Sequence, residues 1–283
     1  MTFPVPTAEE RAAWLARIGE PGAHAAIADG LACLSDVEAL SAGPTDAALG
    51  PWVRVAAWNA ERCRHLDASL ALLSGVGADV VLLSELDAGM ARSGNHDVPR
   101  RLAEGLGLGG AFAVEFVELG LGDAADVEFA TSFGLSSNER GLHGNAVLAR
   151  GGVRSAVALR LDAGGDWFTS DRGQPRVGGR VAVAGLVSVG GADVVVVSFH
   201  LESSSTADER GAQMAVLLEQ VDERFGADVP CILGGDANTF GAPITDLFDR
   251  DNVRALRAED PARFTWPVAR EPLFDAAAAH GFS

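Results

Sequence analysis

Short apolar runs that end in polar side chains recur between residues 52 and 240 of the chain. The runs at 53–58, 80–83, 194–199 and 230–233 lead, in order, into Asn59, Ser84-Glu85, His200 and Gly234-Gly235-Asp236-Ala237-Asn238. An unbroken apolar run of this length is typical of a strand that is buried on both faces. Polar side chains at the ends of such strands can meet at one edge of a sheet. The pattern therefore predicts a site that combines Asn, Glu, His and Asp side chains.

Strand and helix patterns alternate through most of the chain after residue 50. Helices are predicted at 66–76, 99–106 and 207–225, with short ones near Pro243 and Pro272. Strands are predicted at 53–58, 80–84, 111–117, 145–149, 153–161, 180–189, 193–199 and 231–233. Because strands dominate the middle of the chain, antiparallel pairs are expected beside parallel ones. The sequence favours an α/β sandwich with mixed sheets over a purely parallel fold.

The first 50 residues have a different pattern. Thr7 and Glu10 have the spacing of a capping box, which predicts a helix from there to about Ile18. The apolar face of that helix comprises Trp14, Leu15 and Ile18. A second helix is predicted at 24–34, and the Gly, Pro, Ala and Asp residues at 41–50 are typical of a linker. We therefore expect an N-terminal helical appendage at 1–50 and a main domain at 51–283.

Composition limits the partners and the compartment. The chain has 283 residues, 48% of them apolar, which is enough to bury a sizeable core, and its formal charge is −17. A field of that sign repels nucleic acid and anionic membranes, although a bound divalent cation reverses the field locally. Three widely spaced cysteines make no disulfide framework, and no apolar run approaches membrane-spanning length. A cytoplasmic location is expected, and no partner protein is implied.

Each polar strand end has a functional and a structural interpretation. A carboxylate such as Glu85 after an apolar run requires a partner, either a metal ion or an arginine. Asp236 and Asn238 are two apart, so both can face one centre, but they can equally form an Asx turn. A histidine such as His200 is more often a satisfied core residue than a catalytic one. Asn59 is most simply a turn former. Only their combination argues for a site.

Together and in order, the motifs resemble the endonuclease/exonuclease/phosphatase superfamily, the deoxyribonuclease-I-like phosphoesterases. The matching motifs are Trp58-Asn59, Ser84-Glu85-Leu86-Asp87, His143-Gly144-Asn145-Ala146, Ser198-Phe199-His200-Leu201 and Gly235-Asp236-Ala237-Asn238. Arg210 and Gln213 match a further family habit on the helix that follows His200. The resemblance covers about residues 52–283 and implies a four-layer α/β sandwich, two packed mixed sheets each covered by helices.

The resemblance also implies roles for individual residues. Glu85 would be the principal ligand of Mg²⁺ or Mn²⁺, with Asn59 beside it. Asp236 would position the attacking water or help to bind the metal. Asn238 and His200 would donate hydrogen bonds to the phosphate, and Asn145 would support the same oxygens or orient its neighbours. The implied activity is in-line attack of water on a phosphodiester or phosphomonoester, as in a metal-dependent nuclease or phosphatase.

The C-terminal end departs from the family pattern. Family members carry a terminal Asp-His pair after a last strand, whereas this chain ends His280-Gly281-Phe282-Ser283, with Asp275 five residues before His280. We therefore expect the chain to be truncated relative to the family. A catalytically impaired phosphoester-binding pseudoenzyme or fragment is the alternative function. A third interpretation is an α/β protein whose strand-end polar residues only form turns.

The substrate stays open at this point. An acidic insert at 120–142 is expected near the site, and the arginines at 172–180 form either a local phosphate contact or a solvated loop. Nucleic acid, a lipid headgroup and a small phosphoester all remain possible substrates. Their shared chemistry, a phosphoester, is the only partner that the sequence indicates.

Overall fold

The structure is a computed structural model, and it describes residues 3–41, 49–162, 164–242, 244–247 and 249–282. Most of the predicted linker and Pro243 lie outside the described residues. Two mixed β-sheets pack face to face, and helices cover the outer face of each. The predicted four-layer α/β sandwich is confirmed.

The larger sheet has six strands. They are β1 Val37–Leu40, β2 Val55–Arg62, β3 Val80–Ala88, β4 Gly109–Glu118, β5 Leu142–Ala149 and β7 Arg176–Gly178. The order is β1-β4-β5-β3-β2, with β7 paired to β4. Among the described strands of this sheet, only β2 and β3 pair in parallel, so the sheet is mixed, as predicted.

The smaller sheet has four strands in the order β10-β9-β8-β6. They are β6 Arg154–Arg160, β8 Val181–Val189, β9 Ala192–His200 and β10 Cys231–Asp236. Here β9 and β10 pair in parallel, and the other neighbours are antiparallel. Because β2/β3 and β9/β10 are each parallel, each pair brings its two carboxyl ends to one edge of its sheet.

Helices form the two outer layers. They are α1 Ala8–Leu15, α2 Ala23–Ala28, α3 Leu66–Val76, α4 Val98–Leu106, α5 Ala124–Ser132, α6 Ala207–Phe225, α7 Ile244–Leu247, α8 Arg250–Glu259 and α9 Leu273–Ala279. The apolar face of α6 buries Met214, Leu217, Leu218 and Val221 against the smaller sheet, as its spacing predicts. Among the described residues, no helix combines the length and the apolar character needed to cross a membrane.

The core between the sheets explains the unbroken apolar runs. Every residue of β5 is buried, and Val80, Leu82, Val147, Val183 and Val196 meet in one cluster between the two sheets. Helices bury the opposite sides of the same strands, so neither side of these strands is exposed to water. Strands of this kind lose the polar alternation that a half-exposed sheet shows.

The N-terminal segment differs from the prediction of helices followed by a linker. Residues 37–40 form strand β1, which pairs antiparallel with β4 at the edge of the larger sheet. Cys33, Leu34 and Leu40 are buried in the core beneath the helical layer of that sheet. Trp14 packs against this core, but Leu15 is 37% exposed, so its predicted place on the packed face is wrong. The division of the chain at residue 50 stays a prediction.

Candidate functional site

Three of the predicted site residues meet at one point between the sheets. Glu85 lies on β3, His200 ends β9 and Asp236 ends β10. One ligand atom from each, two carboxylate oxygens and one ring nitrogen, lies within 4.8 Å of the others. The Nε2 atom of His200 is 3.7 Å from Oε1 of Glu85. The carboxyl ends of strands from both sheets therefore contribute to a single centre.

A bulge in β3 turns the Glu85 side chain toward that centre. The pairing of β3 with β5 shifts between Leu83 and Leu86, so Ser84 and Glu85 together oppose the single residue Asn145. Glu85 has φ of 56°, in the left-handed region that a non-glycine residue rarely adopts. Bulges of this kind change the direction of a side chain at the end of regular pairing.

Asn59 holds the two carboxylates together. Its Nδ2 atom donates to Oε1 of Glu85 at 3.0 Å and to Oδ2 of Asp236 at 2.7 Å. Its Oδ1 atom accepts from the backbone N–H of Glu61 at 2.9 Å, which fixes the orientation of the amide. The nitrogen of Asn59, not its oxygen, therefore faces the carboxylates. Its role as a metal ligand stays a prediction.

The side chains of Asn145 and Asn238 form hydrogen bonds mainly with backbone groups. Oδ1 of Asn145 accepts from the Glu85 N–H at 3.3 Å, and its Nδ2 donates to the carbonyl of Val181 in the other sheet at 2.8 Å. Nδ2 of Asn238 donates to the carbonyl of Leu201 at 2.8 Å. The backbone N–H of Asn238 donates to Oδ1 of Asp236 at 2.9 Å, so the Asx turn is also present. Both asparagines position the strand ends on which the site is built.

The imidazole of His200 rests against a buried carboxylate that the sequence analysis did not single out. Nδ1 of His200 is 3.3 Å from Oε2 of Glu115, a fully buried residue on β4. Arg180 donates to Oε1 of Glu115 at 2.7 Å and to Oε2 of Glu202 at 2.8 Å. The available signal was the charged residue inside the apolar run at 111–117, because a buried carboxylate requires a charged or hydrogen-bonding partner.

A second carboxylate–imidazole pair lies beside the first. Oδ1 of Asp87 is 2.8 Å from Nδ1 of His143, on adjacent strands, and His143 lines the same cleft as Glu85. The buried Arg92 donates to both oxygens of Asp87 at 2.8 Å, and it also pairs with Glu118 and Asp126. Asp87 and His143 belong to the family motifs, but nothing in the sequence indicated that they pair.

Neighbouring charges keep the buried carboxylates ionised. Burial alone would raise the pKa of Glu85, but the charges of His200 and His143 and the hydrogen bond from Asn59 lower it overall. Burial also opposes ionisation of Glu115, and Arg180 with His200 more than offsets it, so the pKa of Glu115 lies well below its usual range. The pKa of Glu202 falls to about 2, since Arg180 outweighs the effect of burial.

The cleft around this centre has a volume of about 290 Å³ and a basic wall. Arg176 and Arg180 are buried in ion pairs with Glu118 and Glu115, so neither belongs to a solvated loop. Arg172 is exposed and lies over the ring of Trp167 at 4.7 Å. The insert at 120–142 contains α5, and its Asp126 is buried against Arg62 and Arg92.

Comparison with known protein families assigns the chain to a family. The sequence profile of the Endonuclease/Exonuclease/phosphatase family matches residues 56–274. The chain belongs to this family. No curated protein sequence matches the chain at a significant level. Members of the family are generally phosphoesterases that use divalent metals.

Several solved structures are similar to parts of the chain. An endonuclease/exonuclease/phosphatase from Beutenbergia cavernae DSM 12333 is 23% identical, with a TM-score of 0.44 over 74% of this chain and 53% of that one. The human nocturnin catalytic domain with bound sulfate anion is 17% identical, with a TM-score of 0.45 over 77% of this chain and 78% of that one. ANGEL2, a 2′,3′-cyclic phosphatase, is 17% identical, with a TM-score of 0.40 over 64% and 45%. The chain spans about half the length of the bacterial protein.

The donors at the centre fit the divalent metal of the family. Glu85 and Asp236 offer carboxylate oxygens, the hard ligands that Mg²⁺ and Mn²⁺ prefer. Two carboxylates that face each other in a half-buried space repel unless a cation lies between or beside them. The single amide of Asn59 reaches both but brings no charge.

Asp275 and His280, near the C-terminal end, lie away from the cleft. Nδ1 of His280 lies 2.7 Å from Oδ2 of Asp222 on α6, and Asp275 is on the preceding helix α9. Neither lines the cleft that contains Glu85. Among the described residues, the imidazoles at that cleft are those of His143 and His200.

Proposed function

We propose that this protein is a divalent-metal-dependent phosphoester hydrolase that uses Mg²⁺ or Mn²⁺. The observation that carries the proposal is the convergence of Glu85, Asp236 and His200 within 4.8 Å at the carboxyl ends of strands from both sheets. Membership of the Endonuclease/Exonuclease/phosphatase family supports it. The predicted metal ligands are Glu85 and Asp236, with Asn59 beside them.

The residues around the centre have different roles in the proposed reaction. When bound, the metal would act as a Lewis acid and orient the phosphate. Glu85 and Asp236 hold negative charge at the site, and Asn59 keeps their oxygens together. His200, which contacts both Glu115 and Arg180 through Nδ1, lines the cleft and can donate to a phosphate oxygen through Nε2. Asp236 would position the attacking water, and Asn145 and Asn238 hold the backbone that carries these groups. Donors fixed before reaction stabilise the charge of the transition state.

Hydrolysis of bis-p-nitrophenyl phosphate tests the proposal. We expect turnover with Mg²⁺ or Mn²⁺, none with excess chelator, and a loss of at least about a hundredfold in Glu85→Gln. Glu219→Gln is the matched control, because Glu219 is exposed on α6 and outside the cleft. Turnover by Glu85→Gln within a few-fold of the native rate would remove the proposal.

Phosphoester binding without turnover is the alternative. It is favoured by one observation, that His280 pairs with Asp222 rather than lying at the cleft. Stoichiometric binding of Mn²⁺ together with no hydrolysis of bis-p-nitrophenyl phosphate would support this alternative. Absence of metal binding would instead favour the third interpretation, in which the Asx turn of Asp236 and Asn238 is purely structural.

A further inference from the structure

A second cavity adjoins the candidate metal cleft. Its volume is about 590 Å³, twice the roughly 290 Å³ of the cleft, and the two cavities share Arg172 and Ser203 in their walls. The remaining walls come from the start of α6, the turn at Gly241 and the segment at 263–271. The second cavity therefore lies directly beside the candidate metal site.

The lining of this cavity is basic in a strongly acidic protein. It contains the arginines Arg172, Arg210, Arg263 and Arg270, and among the described residues that line it the one carboxylate is Glu271. The chain as a whole has a formal charge of −17. Four cations against one anion in one cavity wall reverse the sign of the field there, so the cavity attracts an anion that the outer surface repels.

Two of the four arginines already have carboxylate partners. Arg210 forms a buried pair with Glu271 and also donates to the carbonyl of Ser205 at 2.7 Å. Arg270 pairs with Asp260. These contacts hold two arginines in the wall and offset part of its positive charge. The positive charge that has no carboxylate beside it therefore lies on Arg172 and Arg263.

Arg172 and Arg263 have no carboxylate partner among the described residues. The guanidinium group of Arg172 lies over the ring of Trp167 at 4.7 Å. Arg263 donates through Nη1 to the carbonyl of Gly241 at 3.2 Å, while its Nε is buried and lacks a partner within the described parts of the chain. An unsatisfied buried donor on a cationic group costs free energy unless a ligand accepts from it.

Residues with hydroxyl groups also line the cavity. Ser203, Ser204, Ser205 and Thr206 line the cavity where α6 begins. Guanidinium groups beside hydroxyl donors are the usual surroundings of a bound phosphate. The hydroxyls of Ser205 and Thr206 already donate to the carbonyl of Glu202 at 2.6 Å and to Glu209 at 3.0 Å. The guanidinium groups of Arg172 and Arg263 are therefore the main donors that the cavity offers to a ligand.

We propose that this cavity is a subsite for a second phosphate group of the substrate. The proposal rests on the proposed function, because the first phosphate would be the one hydrolysed at the metal cleft. It narrows the substrate to a small molecule that carries a second phosphate near the scissile phosphoester. Such a molecule enters a basic pocket, whereas a long polyanion would also meet the acidic outer surface.

The first test asks whether the subsite exists. Inorganic phosphate is titrated into the metal-free protein with chelator present, and heat of binding is measured. We expect Arg263→Gln to weaken phosphate binding by at least about tenfold, since a charge-assisted donor is lost. Arg270→Gln, whose side chain is 43% exposed and whose replacement should not impair folding, should also weaken it.

Two variants serve as controls for that titration. Arg257→Gln removes an equal charge from an exposed position on α8, outside the cavity, and should bind phosphate as the native protein does. Glu85→Gln should also leave this binding in place, because Glu85 lies outside the second cavity. Absence of phosphate binding, or equal binding by Arg263→Gln, overturns the subsite.

The second test asks whether the phosphate belongs to the substrate. Thymidine 5′-(p-nitrophenyl phosphate) is compared with the same compound carrying a 3′-phosphate, and kcat/KM is measured from release of p-nitrophenolate. We expect the 3′-phosphate to raise kcat/KM at least about tenfold in the native protein and in Arg257→Gln. The gain should largely disappear in Arg263→Gln and should be smaller but still present in Arg270→Gln, because Arg270 already has Asp260 as a partner.

The outcomes separate the two proposals. Phosphate binding that depends on Arg263, without any preference for the 3′-phosphate, would contradict a second substrate phosphate and indicate an adventitious anion. Failure to hydrolyse either compound, or bis-p-nitrophenyl phosphate, removes the proposed function. The titration would still decide the subsite in that case, because it needs no turnover.

Discussion

Asn59 lies between two carboxylates and donates to both of them through one amide nitrogen. This geometry separates two roles that a sequence motif does not distinguish. A metal ligand contributes an oxygen to the ion, whereas an orienting residue holds the ligands in place. With its Oδ1 atom engaged by the N–H of Glu61, Asn59 has the contacts of an orienting residue.

Metal affinity in two variants distinguishes these roles. We expect Glu85→Ala to abolish Mn²⁺ binding, because it removes a carboxylate ligand. Asn59→Ala should weaken Mn²⁺ binding by roughly ten- to a hundredfold, the usual effect of losing a group that orients a ligand. Isothermal titration with Mn²⁺ measures both. Equal loss in the two variants would show that Asn59 is itself a ligand.

The carboxyl group of Glu202 makes the stability of the fold depend on pH in the acid range. Its pKa is lowered from 4.5 to about 2 in the folded state, so the folded protein binds fewer protons than the unfolded chain between those values. The stability that Glu202 contributes is therefore complete above about pH 4.5 and is lost as the pH falls toward 2.

Glu202→Gln should lower stability at neutral pH and make its decline between pH 4.5 and 2 shallower. Some decline remains, because Glu115 and Asp87 also have lowered pKa values. Urea unfolding at several pH values measures the effect, with Glu219→Gln as an exposed control. An unchanged pH profile would mean that Glu202 has the same pKa in the folded and unfolded states.

The sequence identified the residues at strand ends but not their partners. Glu85, His200 and Asp236 were predictable because each follows an apolar run, and runs of this kind place their ends at a sheet edge. The pairs Glu115–His200 and Asp87–His143 join strands whose order in the sheet the sequence does not reveal. The bulge at Glu85 was hidden for the same reason, since it exists only relative to β5.

Secondary structure elements were more predictable where a periodic pattern was long. Helix α6 begins and ends where predicted, at Ala207 and Phe225, because Thr206 and Glu209 form a capping box and apolar residues recur at helical spacing. Strand β1 was missed, since four residues are too few for a periodic signal. Its pairing with β4 is a long-range contact that only the fold supplies.

Strand β1 gives a test of whether residues before 50 are separable. Leu40→Ala should reduce the free energy of unfolding by about 2–5 kcal/mol, since Leu40 is 3% exposed in the main core. Leu72→Ala, at a 56% exposed position on α3, should change it by less than about 0.5 kcal/mol. Guanidinium unfolding measures both variants.

The shape of the unfolding curve tests whether residues 1–50 and 51–283 unfold together. If the N-terminal segment is part of the main cooperative unit, the whole transition moves in Leu40→Ala. If 1–50 and 51–283 unfold separately, a minor early transition moves and the main one does not. The second result would support the division of the chain at residue 50.

The charge of the whole molecule predicts an effect of salt. With a formal charge of −17, folding brings many like charges together, and screening reduces this repulsion. The ion pairs of Arg92 and Arg180 are buried, so salt weakens them little. We expect the melting temperature to rise as sodium chloride increases from about 0.01 to 0.15 M. A fall would show that exposed ion pairs dominate.

Backbone strain in this molecule is concentrated at the candidate site. Of the seven non-glycine residues with positive φ in the described structure, five are Glu61, Arg62, Cys63, Glu85 and Asn238, which lie at the bulge of β3 or at or just after the ends of β2 and β10. Left-handed backbone costs about 1–2 kcal/mol for such residues, and glycine adopts it freely. Selection for resistance to heat alone would therefore favour glycine at position 85. Laboratory evolution that selected only for thermal stability would tend to replace Glu85 with glycine and so lose the site, unless catalytic turnover were selected at the same time.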